Sequence, residues 1–510
     1  MLELIEACTV GKKVAGIPLW MAVAGFAIVI LVTDIFLGFG KKKRLNEFRI
    51  NKNILEFSFL NQLVKKSYFP FLIQFVSVAL LFLIITAGLY GEVRGNISTI
   101  LTWGWWWVLL VFIIFFFGKT FCAICPWEGI ASLMTALSLR SRKKKIGFEM
   151  KWPRFLKNLY PAAFLFILLT WLELGFGVTH SPKATAIFAI LMTGLALFTA
   201  LFFEKRAFCR YGCLVGRISG LYALFSPVEL RANSADVCKD CNGKECMNGS
   251  SRSAPCPTFL YPGGLKENTY CTLCTECIRS CPHDNLAIRF REPGRDLFNK
   301  SKFRTDEAVL SLILISLTAF HGITMTPLWD EFINVLRIFS GMSHTEAFTI
   351  LMTAIMAIPF LMYFAAISAT GMISKSGLGI KFFFQAFAYP LIPVAFFYHL
   401  AHNAMHFTTE ALLIVPALSD PFGLGWNLFG TKDVNYGDLV SPEIIWWFQI
   451  LFIIAGHIYG VMTAVKISQK TLGEDKNASY ALIPQIILMI LFSEFSIFLI
   501  FQTMDMRTGL

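Results

Sequence analysis

The sequence predicts an all-α polytopic membrane protein of about ten transmembrane helices, interrupted once by a small polar α+β insert. Three observations carry that expectation. Hydrophobic residues make up 56% of the 510-residue chain and charged residues only 15%, and the mean hydropathy is +0.61. A water-facing protein cannot hide that much apolar surface, whereas lipid accepts it. Apolar runs of about 20 residues, the length a ~30 Å hydrocarbon core requires, recur along the chain. Residues 204–306 break this rhythm, being polar and rich in Gly, Pro and Cys.

Before the insert the apolar runs fall at 16–38, 69–91, 98–118, 155–178 and 184–203; after it they fall at 307–328, 346–372, 383–406, 444–466 and 478–503. The first run is longer than a signal-peptide core and lacks a small-residue cleavage site, so it reads as a retained helix. The 51 Phe residues suit lipid-facing positions. The eighth run has two candidate ends, His406 or, because apolar sequence continues, Leu418. Three regions follow: an N-terminal membrane domain over 1–203, the insert over 204–306, and a C-terminal membrane domain over 307–510. No inverted repeat relates the two five-helix halves, which gives little support to a transporter built on internal symmetry.

The net charge of +12 does not point to nucleic acid, because the basic residues cluster at the ends of apolar runs rather than over a soluble face. With the N-terminus outside, Lys41–Lys66, Lys119–Lys157 and Lys205–Arg304 all fall inside, and 38 of the 45 Lys and Arg are cytoplasmic. The expectation is a prokaryotic cytoplasmic membrane protein with its insert on the cytoplasmic side. Lys12 and Lys13, on the outer tail, are the local exception.

Of thirteen Cys, eight lie between 238 and 281 at metal-ligand spacings rather than in a disulfide framework, which favours a reducing compartment. Cys271-x2-Cys274-x2-Cys277-x3-Cys281-Pro282 is the bacterial ferredoxin run, in which three thiolates wrap one [4Fe–4S] cubane and the fourth serves a neighbouring cluster. Evenly packed Cys followed by Pro suit iron–sulfur better than structural zinc. A looser partner precedes it, Cys238-x2-Cys241-x4-Cys246-x9-Cys256-Pro257. By ferredoxin logic Cys238, Cys241 and Cys246 take Cys281, while Cys271, Cys274 and Cys277 take Cys256. The insert is then a ferredoxin-like, two-cluster domain; the alternative is that the lengthened loop has lost its cluster.

Two more pairs, Cys122/Cys125 and Cys209/Cys213, close the third and fifth apolar runs on the same side. They could form a third metal or redox centre, act as a dithiol, or serve as small residues at helix ends. Cys8 stands alone and reads as a small residue.

Residues 69–295 resemble the membrane polyferredoxins that serve periplasmic nitrate reductase and nitrous oxide reductase, and the accessory ferredoxins of cytochrome oxidase assembly. Those families pair two transmembrane Cys-x3-Cys-Pro motifs with a cytoplasmic two-cluster ferredoxin. The resemblance implies quinol oxidation or electron passage across the membrane, with a quinone or a redox protein as partner. Here the first motif is one residue shorter, Cys122-x2-Cys125-Pro126, and Leu214 rather than Pro follows Cys213.

The second half carries histidines instead. His399, His402 and His406 lie at i, i+3 and i+7 on one helical face, with His321 and His457 inside the sixth and ninth runs. Intramembrane His is costly and marks function by default. The readings are a b-type haem held by His457 and one of His399, His402 or His406, a copper or other metal site, or hydrogen bonding between helices. The haem pair requires the eighth helix to continue toward Leu418, so that His399 reaches mid-bilayer. Glu494, mid-span, reads as a proton relay or as a buried group paired across helices.

Three functions accommodate these features: an electron-transfer oxidoreductase, including a quinol dehydrogenase-type component; a copper reductase or assembly factor; and a redox-gated transporter. No dinucleotide fingerprint follows a strand, which argues against direct NAD(P)H oxidation.

Overall fold

The structure, a computed structural model, describes residues 13–40, 52–66, 68–91, 95–131, 133, 148, 150–203, 206–434, 436–473 and 476–505. Cys8 and Lys12 lie outside the described residues. The first membrane helices are α1 (Leu19–Leu37), α2 (Phe71–Tyr90), α3 (Ile97–Ala131), the shorter α4 (Tyr160–Gly175) and α5 (Pro182–Phe202). After the nine-residue α6 (Leu214–Tyr222) and the remaining insert come α7 (Thr305–Thr324) and α8 (Pro327–Ser340), followed by α9 (His344–Ser374), α10 (Ile380–Ser419), α11 (Pro442–Leu472) and α12 (Asn477–Phe501). Among the described residues, nine of these are long and apolar enough to cross a bilayer.

Strand pairing determines how many passes the chain makes. β1 (Lys13–Val14) pairs with β5 (Met504–Asp505), so α1 begins and α12 ends on one face. β2 (Lys52–Asn53), in the segment after α1, pairs with β4 (Leu286–Phe290) of the insert, which also pairs with β3 (Val228–Ala232). The insert therefore lies on the face opposite the paired ends, and the number of crossings is even. The short α4 is the tenth crossing. Leu159 N–H donates to Asp306 Oδ2 at 3.0 Å on the insert side, and α5 returns to that side, where Phe203 bridges Met150. Sixteen helical residues reach only about 24 Å; a turn through the left-handed Gly177 and the 3-10 segment Val178–His180 completes the pass.

Apolar helices bury themselves to different degrees. α7 and α10 are the enclosed pair, 78% and 72% buried, while α2 at 17% and α9 at 22% face lipid. The histidine-bearing α7 and α10 are thus the most shielded from lipid. α1 packs on the last two helices, with Met21 and Val29 joining Ile450 and Ile497 in one cluster. The amphipathic α8 buries Trp329 and Ile333 and exposes Ile338 and Phe339, the pattern of a helix lying along the membrane surface. In the sequence the sixth apolar run ends at 328, and nothing in it marks a second helix there.

Candidate metal centres

The eight insert cysteines line two cavities. Cys238, Cys241, Cys246 and Cys281 line one, with Tyr261 and Asn285. Cys256, Cys271, Cys274 and Cys277 line the other. The structure thus brings together the same two groups of four that the crossed arrangement contains. Among the described residues no three thiols close to within 4.8 Å of one another. A single tetrahedral zinc, with bonds of about 2.3 Å, would hold its thiolates about 3.8 Å apart. Thiols spread beyond that spacing suit a larger group than one zinc ion.

The loops are shaped for such a group. Among the described residues, six non-glycine positions have positive φ, and five of them lie within three residues of these cysteines: Lys244, Phe259, Leu273, Thr275 and Asp284. Left-handed residues curl the backbone so that amides face inward, and non-glycine residues accept that strain where a site requires it. Leu260 N–H donates to Cys256 Sγ at 3.3 Å, Asn285 N–H to Cys281 Sγ at 3.4 Å, and Asn285 Nδ2 to Cys238 Sγ at 3.2 Å. Donors of this kind tune iron–sulfur potentials. Burial pushes the Cys246 thiol up to about 11, with Cys281, Cys238 and Cys241 adding to it. Burial raises Cys277 well above the ordinary thiol value, and Cys246 of the other group is among the charges that add to it. The two groups are close enough to interact.

The four membrane-face thiols also converge. α3 breaks at Gly118, whose φ of 62° and ψ of −135° only glycine adopts readily, and an added Cβ would sit 3.0 Å from Ser226 Oγ. That break redirects Lys119 and Cys122 inward. Gln74 Nε2 donates to Ala123 O at 2.9 Å and Trp127 Nε1 to Thr193 Oγ1 at 3.1 Å, pinning the segment around Cys125. Cys209 lies in a π-helical turn, Phe208–Gly212, and Cys213 caps α6, accepting from Gly216 N–H at 3.4 Å. The Cys209 thiol donates to Glu128 at 3.7 Å, and Glu128 is paired with Arg206 at 2.9 Å. Each of the four thiols lies within electrostatic reach of the others. Lys119 faces Cys122, Cys209 and Cys213, is 1% exposed, and its Nζ has no hydrogen-bond partner. A buried ammonium without a partner is expensive, and the thiols are its nearest potential anions.

Arginines fasten this thiol group to the insert. Arg210 donates to Thr258 O, between Cys256 and Phe259. Arg217, fully buried, donates to Thr269 O at 2.8 Å and stacks 4.3 Å from the Tyr270 ring, beside Cys271. At Gly220 an added Cβ would meet Thr269 O at 2.2 Å, so α6 can approach the Cys271 loop only because no side chain is there.

The histidines divide into separate settings. α10 continues to Ser419, the longer helix on which the haem pair depends. His457, however, turns away from α10. Thr33 Oγ1 hydrogen-bonds His457 Nε2 at 2.7 Å and Ser493 Oγ hydrogen-bonds His457 Nδ1 at 2.9 Å. Both ring nitrogens thus hydrogen-bond to α1 and α12 rather than facing the α10 histidines. His399 Nδ1 meets the Tyr222 hydroxyl at 2.6 Å. His402 and His406 gather instead with His321 of α7, a partner that lies in a separate apolar run and that spacing along the chain does not reveal. Glu494 Oε1 is buried without a hydrogen-bond partner.

A curated protein of Escherichia coli (strain K12), named "Putative electron transport protein YccM", is 26% identical to this chain over 242 residues. The alignment covers 42% of this chain and 64% of that protein, so the chain spans under two thirds of its length. No protein-family model matches the chain, and no solved structure matches it. The chain is thus a multi-pass helical membrane protein, distantly similar to a protein named for electron transport, and its cysteine-rich segment is consistent with an iron–sulfur site.

Proposed function

We propose that the chain is a membrane-bound iron–sulfur electron-transfer protein, a quinol dehydrogenase-type component passing electrons between a cytoplasmic or quinone donor and a membrane or external acceptor. The observation that carries this reading is the pair of adjacent four-cysteine cavities. Cys238, Cys241, Cys246 and Cys281 would hold one [4Fe–4S] cluster, and Cys256, Cys271, Cys274 and Cys277 the other. Bound clusters supply one-electron steps; the protein supplies their spacing, their N–H···S donors and their path.

That path has a direction in space. The second cavity adjoins the membrane-face thiols, since Lys119 also lies within electrostatic reach of Cys271. Cys122, Cys125, Cys209 and Cys213 form a third redox centre on this reading, with Lys119 balancing its negative charge. The route runs from the outer insert cavity through the inner one to the membrane face. The excess of Lys and Arg on that side supports a cytoplasmic insert.

Anaerobic iron and sulfide analysis of the full-length protein tests the proposal. About eight iron and eight sulfide are expected in the insert, with paired-cluster coupling in the EPR spectrum on full reduction. Four iron or fewer in well-loaded protein would reject two clusters. Serine at any one of Cys122, Cys125, Cys209 or Cys213 is expected to remove one redox signal while sparing the insert's.

A further inference from the structure

We propose a mononuclear transition-metal site inside the membrane half, formed by His321 of α7 with His402 and His406 of α10. It is independent of the iron–sulfur reading. The three imidazoles each offer a nitrogen, and all three nitrogens lie within 4.8 Å of one another. The His402 and His406 Nε2 atoms are 3.2 Å apart. Two nitrogens bound to one tetrahedral ion, each about 2.0–2.1 Å from it, stand about 3.3 Å apart. The rings are crossed rather than stacked, at 70° for His402 and His406 and 79° for His321 and His402, so their edges turn toward a common point.

The surrounding groups are those a metal site uses. His406 Nδ1 is 2.9 Å from Glu410 Oε1, and both residues are buried. A carboxylate on Nδ1 fixes the tautomer with the Nε2 lone pair directed at the shared point, as outer carboxylates do for metal-bound histidines. Glu410 lies where both neighbouring helices are irregular. α10 passes through the 3-10 segment Ala411–Leu413, and the π-helical Ile100–Trp106 of α3 packs against it, Trp105 Nε1 donating to Ala411 O at 3.1 Å. Helical π segments frequently mark functional sites. The triad lines a small cavity together with Glu173, Tyr398 and Asn403. Tyr398 is 4% exposed and its hydroxyl has no hydrogen-bond partner, which leaves it available to a ligand in the fourth coordination position. His321 sits about 24 Å along α7 from the insert-side end, so the site lies in the half of the membrane remote from the insert.

Three neutral imidazoles with an open position suit a divalent first-row ion such as zinc or copper. The test uses full-length protein with its iron–sulfur signals intact, equilibrated with Zn(II) alone and then dialysed. One zinc per chain with nitrogen scatterers near 2.0 Å at the zinc X-ray absorption edge is expected. His402→Gln and His321→Gln should abolish that zinc, and Glu410→Gln should weaken it by about 10–100-fold. His399→Gln, whose ring belongs to Tyr222, should leave it unchanged. Unaltered iron–sulfur EPR in each variant shows that the chain still folds. No retained zinc, sulfur scatterers only, or zinc binding unaffected in His402→Gln would overturn the site.

Discussion

At the scale of single residues, Lys119 is the most informative side chain near the membrane-face thiols. Nothing in a one-dimensional reading distinguishes it from the other lysines at helix ends, which snorkel to water. Here the break at Gly118 turns it inward, where its Nζ has no hydrogen-bond partner. At an effective dielectric of about 20, a charge about 8 Å away is worth about 2 kcal/mol. For a one-electron couple that corresponds to roughly 90 mV. Lys119→Met removes a positive charge, so the reduced form of the neighbouring centre loses more stabilisation than the oxidised form. Its midpoint potential should fall by about that amount in an EPR-monitored redox titration, while the potential of the outer insert cluster stays put. An unshifted membrane-face potential would mean that Lys119 does not act on that centre.

At the scale of elements, the tie between insert and membrane depends on a buried charge group at the start of α7. Lys300 bonds Glu267 at 2.6 Å and Glu307 at 3.0 Å, and Tyr389 donates to Glu307 as well. Burial alone would lower the Lys300 pKa, but Glu307 and Glu267 outweigh it and hold the ammonium above its ordinary value. Lys300→Met would take the nearer cation from Glu307, which is 1% exposed, leaving it Arg304 Nε at 3.8 Å and the Tyr389 hydroxyl, at a cost of about 1–3 kcal/mol. A clear drop in the melting temperature of the detergent-solubilised protein is expected. Adding Glu307→Gln should recover much of it, because the buried carboxylate that lost its nearer cation is then neutral. A double variant no more stable than the single one would remove the charge argument. The helices themselves were legible as apolar runs. α4 was legible as a span but not as one of only sixteen helical residues, since its last turn depends on the left-handed Gly177. α8 was missed because only alternate faces of it are apolar, which lowers its mean hydropathy below that of a span.

At the scale of the whole molecule, the β1–β5 pairing and the β2–β4 pairing put the paired ends and the insert on opposite faces. The excess of basic residues on the insert's face is the argument for the proposed cytoplasmic insert. Cysteine-free reporter fusions at residue 265 and at residue 435 should report opposite sides, with residue 265 in the cytoplasm. Both on one side would contradict the ten-pass arrangement, and the reverse orientation would contradict the charge argument alone.

The sequence by itself determined what depends on neighbours along the chain. Twenty consecutive apolar residues favour lipid over water, so the spans could be placed without knowing what they touch. The cysteine intervals were equally readable, because a loop of two intervening residues brings its thiols to one locus whatever surrounds it. Which side chains meet across helices was decided only by the tertiary structure. His321 joins His402 and His406 from some eighty residues away, while His457 turns to Thr33 and Ser493. The rotation and tilt of a membrane helix are set by packing against its neighbours. Hydropathy gives a helix its length but not the direction its histidines face, so the haem pair and the histidine triad could be separated only once α1, α7, α10 and α11 stood in their places.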